Sequence, residues 1–322
     1  MSQQLDITLE KLIEGRKWGA CSQHLGALDP LRRATLLVDL AHERLLRKYN
    51  DIEEIRREVA DDWAQTLHVM LFRFIGGSHN RTATERLAKI ATCHIVMREN
   101  SSLRNIEALL LGTSGLLDIY ADDDYTTYLR QEFDHLAVKY NIEPMLAGEW
   151  QLTGMYLNNH PTLRIAQIAA CLHENMITMQ SITACQTRKD VYKLFSGKAS
   201  DYWATNFVPR SKNFEIGRRV GSFKSDIMGI NLVVPMMYAY GRYSNSDKLI
   251  DRSLQLLERI PAENNRYIAA WNSSNYSAKT AFDSQALLQL SKEYCERSRC
   301  AECPLARVLI YCSQTRNRKQ EF

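Results

Sequence analysis

Residues 294–304 read YCERSRCAECP and place Cys295, Cys300 and Cys303 at C-x4-C-x2-C, with Cys312 eight intervening residues further on. Thiolates so spaced can surround one Zn2+ at about 2.3 Å or hold an iron–sulfur cluster, and Cys312 is the candidate fourth ligand. Two readings stand. One is a structural metal site, because four thiolates leave no open position for water. The other is a set of plain thiols, because spacing alone is hypothesis-grade. The apolar run Val308, Leu309, Ile310 suggests a helix after Pro304 that could carry Cys312 away.

A second stretch with chemical content is NFVPRSKNFEIGRRVGSFKS, residues 206–225. It sets Arg210, Lys212, Arg218, Arg219 and Lys224 among Phe207, Phe214 and Phe223, with Glu215 the only acid. Basic side chains neutralise phosphates while exposed rings stack on bases, the combination used by single-strand binders. The alternative is that the rings are core and the charges solvate a loop. Arg316, Arg318 and Lys319 make a basic tail, of a kind that is commonly just solvated.

The remaining polar groups have structural readings. Asp118, Asp122, Asp123 and Asp124 lack calcium-loop spacing and suit helix capping, as do Asp283 and Ser284 before an apolar helix starting near Ala286. Glu107 reads as a satisfied ion pair. No H-E-x-x-H, G-x-S-x-G or phosphate-cradling glycine loop is present, so no catalytic residue is nominated.

These residues must be positioned by helices. Ile55, Val59, Trp63, Leu67, Met70, Leu71 and Phe74 form one apolar stripe at steps of three and four, and Leu36, Leu37, Leu40, Ala41 and Leu45 form another. A third, from Ile165 to Met176, follows Pro161, which suits a first helical turn. Turns are expected at 76–78, 122–124, 158–161 and 272–275. Alternating strand patterns are scarce. The expected fold is all-α, a helical bundle-like body over residues 1–293 with a small cysteine-rich knuckle and basic tail over 294–322.

With 322 residues and 45% hydrophobic composition, the chain can bury a sizeable core. The apolar stretch from Ile230 to Tyr240 is about half the roughly 20 residues of a membrane span, and MSQQLDITLEK lacks the layout of a signal peptide. A cytoplasmic protein with no membrane partner is expected, its eight cysteines thiols or ligands rather than disulfides. The net charge of +4 is too small to imply nucleic acid by itself.

The strings IEALLLGTSGLL (106–117), HPTLRIAQIAA (160–170), INLVVPMMYAYG (230–241), ERIPAENNRYIAAW (258–271) and AFDSQALLQLSKEYC (281–295) resemble successive motifs of the bacterial domain-of-unknown-function family 2851. The resemblance covers about residues 30–305 and concerns the C-terminal part of longer members, whose nuclease-like N-terminal part is absent here. Where those members usually show Arg-Pro ahead of the helix at Pro161, this chain has Tyr156-Leu157. The cysteine layout also loosely resembles the cluster loop of helix-hairpin-helix DNA glycosylases, but with different spacings and without their glycine-rich hairpin. The functional expectation is a nucleic-acid-related binding module with a structural cysteine and metal element. The alternatives are a protein-interaction or scaffold subunit lacking the enzymatic half of its relatives, and a glycosylase-like iron–sulfur enzyme.

Overall fold

The computed structural model describes residues 21–120, 123–211, 217–273 and 276–318. About 70% of the protein is helical and no strand occurs among the described residues, as the stripes at three and four required. In chain order the helices are α1 (Ser22–Ala27), α2 (Pro30–Glu58), α3 (Trp63–Ile75), α4 (Arg81–Ile90), α5 (Cys93–Arg98), α6 (Leu103–Thr113), α7 (Asp124–Tyr140) and α8 (Pro161–His173). There follow α9 (Met179–Ala184), α10 (Arg188–Leu194), α11 (Ser222–Met228), α12 (Val234–Tyr243), α13 (Asp247–Arg259), α14 (Arg266–Asn272), α15 (Ala281–Gln289) and α16 (Pro304–Arg318).

The chain divides into two compact units, residues 49–256 and residues 1–48 with 257–322. This differs from a body of 1–293 carrying an appended segment. The reason lies in α2, whose stripe Leu36, Leu37, Leu40 and Ala41 is buried in one cluster with Trp271, Leu287, Leu290, Leu305 and Leu309. Each such leucine contributes about 1.5–3 kcal/mol by leaving water, so the two ends of the sequence share one core. Trp271 Nε1 donates to Ser291 Oγ at 2.8 Å and Arg44 Nε to Gln285 Oε1 at 2.7 Å inside that unit.

In the unit of residues 49–256, α6 and α8 are buried on all sides, over Ile106–Thr113 and Pro161–Cys171. That is the expected fate of a helix apolar around its circumference. Helix α7 comes so close to α6 that a Cβ on Gly112 would lie 2.0 Å from the Phe133 ring. Asp123 begins α7 by capping, its side chain accepting from Thr126 N at 2.9 Å. Asp283 does cap the start of α15, though not as the N-cap: Thr280 holds that place, and Asp283, three residues on, completes the capping box by accepting from Thr280 N and also from Lys279 N. The helix therefore starts about five residues before Ala286.

The stripe from Ile55 to Phe74 belongs to two helices, because Ala60 and Asp61 turn left-handed at φ 55° and 63° and Asp62 then caps α3. Two π turns interrupt otherwise regular helices. One, Gly229–Val233, joins α11 to α12 just before Pro235, and the other, Leu290–Cys295, extends α15. Among the described residues no helix is long and apolar enough to cross a membrane.

Candidate functional site

A cavity of about 1310 Å³ in the 49–256 unit opens between the end of α3, the start of α4, the 154–159 loop, α8 and α11. Its walls are set by local chemistry. Helix α3 ends at Gly76 and Gly77; a Cβ on Gly76 would meet Thr84 Oγ1 at 2.3 Å, and Gly77 has φ +66°, so two glycines are needed for the chain to turn here. Asn80 fastens the next wall, donating to Gln151 O at 2.9 Å and accepting from Gln151 N at 2.8 Å. Gln167, on buried α8, donates to Gly217 O at 2.8 Å and Arg219 O at 3.0 Å, which fixes the loop entering α11.

Among the described residues that line this cavity, Arg73, Arg81, Arg164, Arg219 and Lys224 are cations and none is a carboxylate. Arg73 is answered from behind by Glu85 at 3.1 Å. Arg164, 7% exposed, donates to Gln167 Oε1 and Asn159 Oδ1, both at 2.8 Å, while its Nε has no hydrogen-bond partner. Burial lowers Arg164 to about 10. Lys224 donates to Phe74 O at 2.8 Å, and burial together with the Arg164 charge lowers its ammonium to about 7. Arg81 sits 5.5 Å from the centre of the Phe74 ring and is likewise lowered, by burial and then by Arg73. Phe223 and Tyr156 stand on the wall at 66% and 84% exposure. Burial first, and then the neighbouring positive charge, weakens the hold of Lys224 on its proton, and an arriving anion would restore that hold.

A second cavity, about 680 Å³, lies against Arg104, Tyr125, Ser200, Tyr202 and Arg218. Beneath it Glu107 is fully buried, accepting from the Tyr125 hydroxyl and from Ser200 N. Burial raises its carboxyl to about 7 against those hydrogen bonds. The expected ion pair is therefore replaced by a neutral-donor network: Tyr125 also lies 2.7 Å from Ser200 Oγ and stacks on Tyr202 at 4.2 Å.

Of the basic segment, Arg219 and Lys224 share the larger cavity, whereas Arg218 lines the second, bonded to Ala199 O at 3.2 Å and paired with Asp201. Arg210 is exposed at φ 60°, its N–H donating to Tyr202 Oη at 3.0 Å. Lys212, Phe214 and Glu215 lie outside the described residues, as does Lys319. Phe207 is half-buried, edge-on to His160 at 6.0 Å. Arg81 and Arg164 were not singled out by the sequence. They lie 42 and 125 residues before the basic segment at 206–225 (Arg164 and Arg81), and only the packing of α4 and α8 beside α11 brings them to it.

Two groups of residues could hold a metal. Asp62, Cys93 and His94 offer ligand atoms all within 4.8 Å. There the Asp62 carboxylate is already engaged, capping α3 with one oxygen and meeting His94 Nε2 at 2.6 Å with the other. The C-terminal cysteines form the second group. Cys295 ends the π turn after α15, Cys303 is buried just ahead of α16, and a left-handed Ser298 at φ 54° lies between them. Cys312 lies eight residues into α16, about 12 Å along its axis, with Arg32 Nη1 2.9 Å from its sulfur.

The model of a family described as protein of unknown function, DUF2851, matches residues 1–266. The match takes in the first 30 residues and stops before the motif at 281–295. No curated protein and no solved structure matches the chain.

Proposed function

Because the chain belongs to the DUF2851 family, whose function is unknown, we propose from its own side chains that it binds single-stranded nucleic acid through the larger cavity. The observation that carries this reading is a wall of five cations without a carboxylate among the described residues. Phosphates entering there would meet Lys224, Arg164 and Arg219, and the partnerless Arg164 Nε is a donor in want of an acceptor. Phe223 and Tyr156 supply exposed rings on which bases can stack, a contact worth about 1–3 kcal/mol per base.

The test is fluorescence anisotropy with a labelled oligothymidylate across a salt series. Binding should weaken steeply with salt, and Arg164→Ala and Arg219→Ala should each flatten the log–log slope by about one for every phosphate that is no longer neutralised. Phe223→Ala should weaken binding at every salt concentration without changing the slope. Absence of binding at low salt, or slopes indifferent to the arginines, removes the proposal.

A further inference from the structure

Asp62 and the pair Cys93 and His94 stand 31 residues apart in sequence, and buried bonds from α3 hold them together. Asp62 follows the left-handed Ala60 and Asp61 and caps α3, its Oδ1 accepting from Ala64 N at 2.8 Å and Gln65 N at 3.2 Å. Oδ2 is left out of the cap and lies 2.6 Å from His94 Nε2. Three residues on, Gln65 donates from Nε2 to Ala88 O at 3.0 Å and accepts from Cys93 N at 2.8 Å. One turn later His68 Nε2 lies 2.9 Å from Ala91 O. Gln65 and His68 are both buried, so these bonds, which fix the segment between α4 and α5 against α3, are shielded from water. Thr92 then caps α5, its Oγ1 accepting from Ile95 N at 3.4 Å, which sets the first turn that carries Cys93 and His94.

The result is a carboxylate oxygen, a sulfur and an imidazole nitrogen all within 4.8 Å of one another, and among the described residues no other set of three His, Cys, Asp or Glu side chains meets so closely. Bonds of about 2.0–2.3 Å in a tetrahedron hold ligand atoms about 3.3–3.8 Å apart, so a zinc ion asks for shifts of about 1 Å. His94, whose side chain is 61% exposed, has room to make them. The donor types select the metal: thiolate and imidazole beside a single carboxylate suit Zn2+, whereas Mg2+ and Ca2+ take oxygen. One carboxylate and one thiolate also cancel the charge of a divalent ion, so no net charge is added beside the buried Cys93.

We propose that Asp62, Cys93 and His94 bind one zinc ion, with a water in the fourth position on the side where His94 and Asp62 meet solvent. On binding, the Cys93 thiol releases its proton to solvent as its sulfur bonds to the metal. The neutral His94 ring carries its proton on Nδ1, so that the Nε2 lone pair is given to zinc in place of the contact with Asp62. The Ala64 and Gln65 N–H groups keep Oδ1 of Asp62 fixed from behind, and the Gln65 side chain does the same for the backbone of Cys93. Three protein ligands and one open position are the arrangement of zinc sites that act on a bound water, unlike the closed four-thiolate site that the C-terminal spacing suggests.

The experiment strips the full chain with a chelator, reloads it with zinc and measures bound metal after gel filtration. His94→Ala and Asp62→Asn should each lose an equivalent of zinc that the wild type retains. Their affinity should fall by more than about 100-fold, since losing a mere hydrogen-bond partner of a ligand already costs about 10–100-fold. Both variants should fold, because His94 is exposed and Asn caps a helix as well as Asp does. Cys295→Ser should retain the equivalent, which separates this site from the C-terminal cysteines. The zinc X-ray absorption spectrum of that variant should show one sulfur among nitrogen and oxygen neighbours. No zinc in the wild type, equal zinc in the wild type and in both variants, or loss in Cys295→Ser with retention in His94→Ala would each overturn the assignment, as would a shell with no sulfur or with more than one.

Discussion

Lys224 offers the most direct probe of the cation-lined cavity, because burial and Arg164 hold its ammonium at about 7, within reach of ordinary buffers. An anion can use Lys224 only when it is charged. At pH 6 about ten elevenths of the molecules carry that proton and at pH 8 about one eleventh, as follows from a value of about 7. A bound phosphodiester stabilises the charged form and moves the group back toward its usual range, so binding takes up a proton above neutrality. Affinity for an oligonucleotide should then fall about tenfold from pH 6 to pH 8 at fixed ionic strength, or about 1.4 kcal/mol. Phosphodiesters do not titrate in that interval, so the slope belongs to the protein. The Arg73, Arg81, Arg164 and Arg219 guanidiniums line the same cavity as Lys224, and His79 on the same wall is replaced by Gln in every sample. Lys224→Met should bind more weakly at pH 6 and lose the pH dependence. A wild-type affinity flat between pH 6 and 8, or a slope that survives Lys224→Met, would refute both the charge state and the placement of the anion.

Glu107 gives a stability counterpart. Its carboxyl is raised to about 7, so the folded chain holds a proton that the unfolded chain has released above its ordinary range. That contribution is present at low pH and lost as pH rises through about 7. Thermal melts at pH 5 and pH 8 should show Glu107→Gln declining less than the wild type, and equal declines would contradict a buried neutral acid. Gly115 has φ +68° with Met145 O 2.0 Å from where a Cβ would stand, whereas Gly154 at φ +77° has only Gln151 Nε2, at 3.7 Å. Gly115→Ala should cost about 2–5 kcal/mol in urea unfolding, a left-handed penalty plus a backbone clash. Gly154→Ala should cost the left-handed penalty alone, about 1–2 kcal/mol, and similar costs at the two positions would show that the close approach is relieved freely.

The helical class was legible because the leucines of α2 and the apolar faces of α3 and α8 repeat at three and four residues, and burial enforces that period. What escaped was local. Nothing in Ala60, a strong helix former, announces the left-handed break that splits one stripe into α2 and α3. The basic segment around Arg218 pointed to the right loop but could not divide its charges. Arg218 and Arg219 are neighbours in sequence and line different cavities, because the chain bends at these two residues. Arg164 was hidden inside an apolar string, where a lone basic residue looks like a helix's solvent edge.

The π turn at Gly229–Val233 has the geometry of one surplus residue in a helix running from Ser222 to Tyr243. Each α-helical residue advances the azimuth by about 100°, so the surplus sets the phase of everything before it against everything after. Met236 and Met237 can thus be buried downstream while Lys224 faces the cavity upstream. Removing one residue between Gly229 and Val233 would heal the hydrogen-bond ladder and leave the net charge unchanged. It would also swing Lys224 about a quarter turn off the wall, leaving a more regular helix that has lost its aim.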